Sequence, residues 1–296
     1  MALSPSRQGH LAMLSFSALV SLSFSFGHIV AKDIPPAALN TVRFALAAAV
    51  LLAIARVLRV PIRPVFDRFW RFALIGGLMA VYFITMFEAL RVTTAVSTAA
   101  VFTLTPLMAA GFGLLIAGQR SGRWTLIALT IGAIGAIWVI FRADLAALMR
   151  FEVGRGEALF TLGALAHALV PAVARKLAHD VKPLQTSIGS VMGALIVAGI
   201  YGFRDVVSTD YAALSSTVWL VIAYLAIVTT AGTFFLVQFA SQRLPASKVM
   251  AYTYLVPSWV VMWEFLFKGT TQPLALMAGV VATLLALVML LRGEAF

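Results

Sequence analysis

The sequence predicts an all-α membrane protein, with ten transmembrane helices forming two inverted five-helix repeats around a central cavity. Three observations carry this reading. The 296 residues are 62% apolar and only 11% charged, where soluble domains run at roughly 45–50% and about 25%. Ten apolar runs recur from one end to the other, each close to the ~20 residues that cross a hydrocarbon core of about 30 Å. The second five runs repeat landmarks of the first five in the same order. The runs lack period-two alternation, which sets a β-barrel aside. The net charge of +11 does not mark a nucleic-acid binder, because the basic residues are spread between apolar runs rather than gathered on one solvated face. With no cysteine, disulfides, thiolate metal sites and cysteine nucleophiles are excluded. His10, His28, His167 and His179 lack ligand spacing, so neither a metal nor a cofactor is expected.

Charges, prolines and turn residues mark off the runs. The first, 11–30, follows Arg7 and stops before Lys32-Asp33; no small-residue cleavage site follows promptly, so it reads as an uncleaved span. The second, 36–55, opens at Pro36 and ends at Arg56. Arg71 and Arg91 bound 72–90, and 97–117 ends at Gly118. Arg123 precedes 124–141, after which a polar stretch separates the halves. The sixth, 158–175, closes on Arg175-Lys176. Pro183 precedes 186–203, and Arg204 ends it. The eighth, 217–240, stops before Gln242-Arg243. Pro245 and Lys268 flank 247–267, and Pro273 precedes 274–291. The expected division is 1–150 and 151–296.

The repeat is visible in specific residues. Phe87-Glu88-Ala89-Leu90-Arg91 ends the third run, and Phe239-Ala240-Ser241-Gln242-Arg243 ends the eighth, 152 positions later. The same offset lays Tyr82-Phe83 over Phe234-Phe235. Pro106 precedes Gly118 by twelve residues, as Pro257 precedes Gly269, and Lys32-Asp33 before Pro36 is echoed by His179-Asp180 before Pro183. An odd number of spans per half turns one half upside down relative to the other. Such halves commonly enclose a midplane site and alternate its access. With the N-terminus in the cytoplasm, the cytoplasmic segments hold fourteen Lys and Arg against seven outside. The positive-inside rule therefore places both termini in the cytoplasm, with the loop from Arg56 to Arg71 carrying five of these charges.

These landmarks resemble the drug/metabolite transporter superfamily, EamA type. The resemblance rests on five plus five runs, Arg43-Phe44 in the second, Ala89-Leu90-Arg91 before a Thr/Ser/Ala-rich start, and Pro106 before Gly118. Arg243, Ala246-Ser247, Pro257 and Gly269 repeat the pattern, so it covers nearly the whole chain. The segment Val249 to Trp259 and Phe26-Gly27-His28-Ile29-Val30 are most similar to bacterial aromatic amino-acid exporters. The resemblance implies a multi-pass inner-membrane carrier that exports small metabolites, aromatic amino acids first. Its partners would be the small-molecule substrate and the lipid bilayer. Other amphipathic or cationic solutes, such as drugs or nucleosides, are the alternative. Many relatives carry an acid after each glycine; here Gln119 and Thr270 stand there, and no role of that acid transfers. A membrane-embedded enzyme would need a nucleophile–base pair, carboxylate dyad or metal cluster within the runs, and the sequence offers none. No oligomeric state is assigned.

Several residues are candidates for the site. Pro106, Pro171 and Pro257 fall inside runs, where a proline frees carbonyls of the preceding turn. For the matched Pro106 and Pro257 a gating role beside the cavity is expected; for Pro171 a static kink is an equal reading. Arg43 is seven residues past Pro36, about 10 Å into the membrane at ~1.5 Å per residue. It either snorkels back to water or faces the cavity as a cation for a carboxylate. Glu88 is a membrane-proximal acid near a helix end, and His28 and His167 are either packing residues or proton carriers. Tyr82 and Phe83 fall mid-run, as do Phe102, Tyr252, Tyr254, Trp259 and Trp263. They are lipid-facing bulk or a cavity wall; tyrosine and tryptophan polar atoms favour the wall, being costly in hydrocarbon unless partnered. Gln238 is the strongest polar candidate. Tyr82, Phe83 and Gln238, joined by Tyr252 and Trp263, are expected to line the cavity.

Overall fold

The computed structural model describes residues 4–119, 122–141, 143–150 and 153–292. Ten helices are long and apolar enough to cross a membrane: α1 (Pro5–Val30), α2 (Pro36–Val57), α3 (Phe69–Leu90), α4 (Ala95–Ile116), α5 (Arg123–Ile140), α6 (Arg155–Leu177), α7 (Pro183–Tyr201), α8 (Ser216–Ser241), α9 (Lys248–Lys268) and α10 (Leu274–Leu291). They coincide with the ten expected runs, and no strand occurs among the described residues. The ends extend where a cap is available. Helix α1 starts six residues before its apolar run because Ser4 Oγ accepts from the Arg7 amide, with Pro5 in the first turn. Ser215 Oγ does the same for the Val218 amide at the start of α8. The expected 150/151 division adjoins residues 151–152, which lie outside the described residues.

Two spans are broken where the matched prolines predict. Helix α4 stops at Phe102 and restarts at Thr105, and α9 passes through a 3₁₀ turn, Tyr252–Leu255, before restarting at Val256. Pro106 and Pro257 occupy the first turn of each restarted half, where a missing N–H costs nothing. The two breaks meet: Thr105 Oγ1 and Thr253 Oγ1 are 3.1 Å apart. Each restarted half ends on a left-handed glycine, Gly118 and Gly269, both at φ +64°, a conformation that only glycine adopts without strain. The two residues after these glycines serve local geometry. Gln119 Oε1 accepts from the Ala246 amide at 3.1 Å, and Thr270 Oγ1 donates to the Glu264 carbonyl at 3.1 Å.

The halves pack by exchange. Helix α3 lies against α6 and α7, while its counterpart α8 lies against α1 and α2, and α5 pairs with α10. Helices α1 and α9 run parallel in fixed register, with His10 on Tyr252, Ser17 on Trp259 and Ser21 on Trp263, each pair 242 residues apart. The α3–α7 crossing is tight. A Cβ at Gly76 would fall 2.5 Å from the Ala194 amide nitrogen, and one at Gly193 2.7 Å from the Ala73 Cα, so small residues set the interhelical distance. Helix α8 departs from its counterpart. It contains a π-helical turn, Ile227–Gly232, where the equivalent stretch of α3 is regular helix. Turns of this kind recur at functional sites because they leave backbone groups and side chains re-aimed.

Candidate functional site

The π-helical turn exposes Thr229 and Thr230 to the second span, and Arg43 meets them. Arg43 is fully buried. Its Nε donates to Thr230 Oγ1 at 2.5 Å, and Nη2 donates to Thr229 Oγ1 at 3.2 Å and the Thr229 carbonyl at 3.5 Å. The guanidinium lies 3.7 Å over the Phe83 ring, a cation–π contact strengthened by the absence of bulk water. Nη1 has no hydrogen-bond partner among the described residues, and no carboxylate there pairs with the cation. Arg43 therefore does not snorkel; it is held at the junction of the two halves.

An aromatic cluster continues from Phe83. Phe83 stacks on Phe234 of α8 at 6.3 Å, the residue that the repeat overlays on its neighbour Tyr82. Tyr82 lies 4.4 Å from His167, 5.4 Å from Phe102 and 5.7 Å from Phe160, centroid to centroid. Phe24 meets Phe102 and Phe160, and Phe16 stacks on His167. All of these rings are at most 1% exposed. Within this apolar set, Tyr82 Oη and His167 Nδ1 lack hydrogen-bond partners among the described residues. Buried polar atoms are normally satisfied; with Arg43 Nη1, three atoms in this region lack a partner among the described residues.

Clefts lie at the two ends of the helix bundle. On the face that carries the N-terminus, a cleft of about 380 Å³ between the ends of α6 and α8 is lined by Arg175, His179, Gln238, Ser241 and Gln242. Gln238 is one helical turn beyond Phe234, so it links this cleft to the ring cluster. Nearby, Asp180 accepts from Arg71 Nη1 at 3.1 Å. Burial acts against ionisation of Asp180, but the Arg71 hydrogen bond, a backbone hydrogen bond and the charges of Arg71 and His179 together outweigh it, holding the carboxyl below its ordinary value. On the opposite face, a cleft of about 450 Å³ is lined by Lys32, Glu88, Arg91 and Arg155. The two clefts are related by the repeat, since Lys32 corresponds to His179 and the end of α3 to the end of α8.

Of the residues picked from sequence, the structure brings together Arg43, Tyr82, Phe83, Phe102 and His167, with Gln238 one turn beyond Phe234. The others lie elsewhere. Tyr252 is buried at the start of α9 with its hydroxyl 3.1 Å from His10 Nδ1. Trp263 is half-buried, donates to Ser21 Oγ at 2.9 Å, and stacks between Trp259 and Phe267 along α1. His28 Nδ1 is 3.1 Å from the Leu90 carbonyl at the end of α3. Glu88 pairs with Arg91 at 3.4 Å in the outlying cleft. Pro106 and Pro257 are buried at the helix breaks. Sequence reasoning missed Phe16, Phe24 and Phe160 as members of the site, whereas Thr229 and Thr230 stand out in the sequence as polar atoms at the depth of the aromatic residues. It also missed Glu157, which is 3% exposed and accepts from Thr93 Oγ1 and Ser97 Oγ, both at 2.5 Å. One signal for it existed: Gly9-His10 recurs as Gly156-Glu157 at the 147-residue separation that relates Lys32-Asp33 to His179-Asp180.

Comparison with known proteins agrees with this architecture. A protein of known crystal structure superposes over 98% of each chain with a TM-score of 0.70 at 20% identity, a likeness of fold. The uncharacterized transporter YyaM of Bacillus subtilis (strain 168) is 24% identical over 257 residues, spanning 84% of this chain and 82% of that protein. The model of the EamA-like transporter family matches two segments, 7–141 and 154–292, one in each half. Ten membrane-length helices, a two-fold repeat and a family match across nearly the whole length make this chain a multi-pass membrane transporter that belongs to the EamA-like transporter family of the drug/metabolite transporter superfamily.

Proposed function

We propose that this transporter exports small metabolites that combine a flat apolar group with a carboxylate, aromatic amino acids foremost, across a bacterial inner membrane by alternating access. Both termini are then cytoplasmic, and the Gln238 cleft is the loading side. The observation that carries the reading is the buried Arg43 guanidinium, without an acid partner among the described residues and seated on Phe83 beside a wall of rings. A buried cation is costly unless an anion joins it, and a substrate carboxylate on Nη1 supplies that anion. The substrate ring stacks among Phe83, Phe102, Phe160 and Phe234, each such pair contributing roughly 0.5–1.5 kcal/mol beyond area burial. Tyr82 Oη, His167 Nδ1 and Gln238 are then available for the amino group. Because these rings now touch one another, substrate entry separates them, with the breaks at Pro106 and Pro257 as hinges between the two arrangements. A cationic solute fits poorly beside an uncompensated guanidinium, which disfavours the drug and organic-cation alternative.

A competition panel in proteoliposomes tests the reading. Phenylalanine is expected to inhibit uptake of labelled phenylalanine at least about tenfold better than phenethylamine, since a bond to a charged group is worth roughly 1.5–3 kcal/mol. Equal potency of the amine would show that no carboxylate is recognised.

A further inference from the structure

The repeat also matches the contacts that close the two faces. A Cβ at Gly9 would lie 2.9 Å from Leu244 Cγ, and one at Gly156 2.8 Å from Thr93 Cγ2 and 3.1 Å from Val92 Cγ2. Leu244 and Val92 are themselves related by the 152-residue offset, so each glycine lets the first span of one half close on the turn after the third span of the other. The next residue fastens the contact. His10 Nδ1 lies 3.1 Å from Tyr252 Oη at the start of α9, and Glu157 accepts the Thr93 and Ser97 hydroxyls at the start of α4.

We propose that His10 and Glu157 are the paired positioning residues of transport, each latching one mouth, so that release of one latch and closure of the other set the side to which the site opens. This rests on the alternating-access reading above. The latches are unequal. Hydrogen bonds to a carboxylate are about twice as strong as neutral ones, and Glu157 accepts the Thr93 and Ser97 hydroxyls at 2.5 Å, where His10 Nδ1 lies 3.1 Å from the Tyr252 hydroxyl. The mouth opposite the N-terminus is therefore held the more firmly, and the resting protein opens toward the N-terminal face.

The cysteine-free chain allows a direct test with Ala164→Cys as reporter. Ala164 is buried and lies four residues after Phe160 and three before His167, on the same face of α6. A membrane-impermeant maleimide is applied to each face in turn, in intact cells and in inverted vesicles. Glu157→Ala is expected to raise labelling from the face opposite the N-terminus by about tenfold, the order set by bonds to a charged group, and to lower it from the N-terminal face. His10→Ala is expected to shift labelling in the reverse direction, and the exposed Leu285→Ala to shift neither. Thr93→Val combined with Ser97→Ala removes the donors and keeps the carboxylate, so it should reproduce Glu157→Ala if the latch is what matters. Opposite shifts at the two faces are a signature that general loosening does not give. Equal changes on both faces, or none, would overturn the latches while leaving alternating access intact. A reporter that labels readily from both faces, with no trade between them, would overturn alternating access and the latches together.

Discussion

Arg43→Ala is expected to cut transport by about a hundredfold at substrate concentrations below saturation, with the protein still folded in the membrane. The arginine donates to Thr229 and Thr230 and, in the proposed complex, to the substrate carboxylate. Bonds to charged groups contribute roughly 1.5–3 kcal/mol each, and about 1.4 kcal/mol is a factor of ten. The alanine removes both the carboxylate bond and the clamp that fixes the π-helical turn. Folding suffers less, because the substitution also removes an unpaired buried cation whose desolvation works against the folded state. Arg43→Lys keeps the charge but loses the planar fork and its stacking on Phe83, so an intermediate loss of about tenfold in apparent affinity is expected. Competition binding with labelled phenylalanine and the yield of extracted protein separate the two effects. Wild-type affinity in Arg43→Ala would reduce the arginine to a structural tie between α2 and α8.

Gly76→Ala is expected to lower the thermal unfolding midpoint in detergent by about 2–12 °C, while Gly77→Ala one residue along changes it little. At Gly76 the added carbon would overlap the Ser190 carbonyl oxygen and lie 2.5 Å from the Ala194 nitrogen and 2.8 Å from the Gly193 carbonyl carbon. All three are backbone atoms of α7, so no rotamer change relieves the overlap and α3 must move off α7. Overpacking costs of roughly 1–3 kcal/mol, at about 2–4 °C per kcal/mol in a chain of this order, give the size of the shift. At Gly77 the added carbon meets only Val197 Cγ2, at an ordinary 3.6 Å. Thermal scans monitored by tryptophan fluorescence would read both variants. Equal midpoints would mean that the α3–α7 crossing is wider than the structure has it.

The spans were legible because hydrocarbon imposes length and apolarity on every one of them. The repeat was legible through Pro106 and Pro257, Gly118 and Gly269, residues whose backbone demands survive when side chains drift. The interior of the site was less so. A helix buried all round is apolar all round, so the sequence does not distinguish Phe160, which faces the cluster, from Phe265, which is exposed. The π-helical turn of α8 inserts into a uniformly apolar run and leaves no trace in its pattern, although its threonines are what orient Arg43. Glu157 read as part of a polar stretch because its partners Thr93 and Ser97 are 64 and 60 residues away. Tyr252 and Trp263 were reasonable choices by depth, but partners 242 residues distant on α1 take up their polar atoms. Depth is written in the sequence; facing is written in the packing.

Counterflow tests the central claim most directly. Proteoliposomes loaded with millimolar unlabelled phenylalanine are diluted into trace labelled phenylalanine, and internal label is followed over time. A site that faces one side at a time exchanges its occupant on each return, so label is expected to accumulate transiently above its external concentration and then decay. Arg43→Ala liposomes should lack this overshoot. A simple, monotonic approach to the external concentration by the wild-type protein, with flux that rises linearly with phenylalanine, would contradict both the alternating site and its assignment to aromatic amino acids.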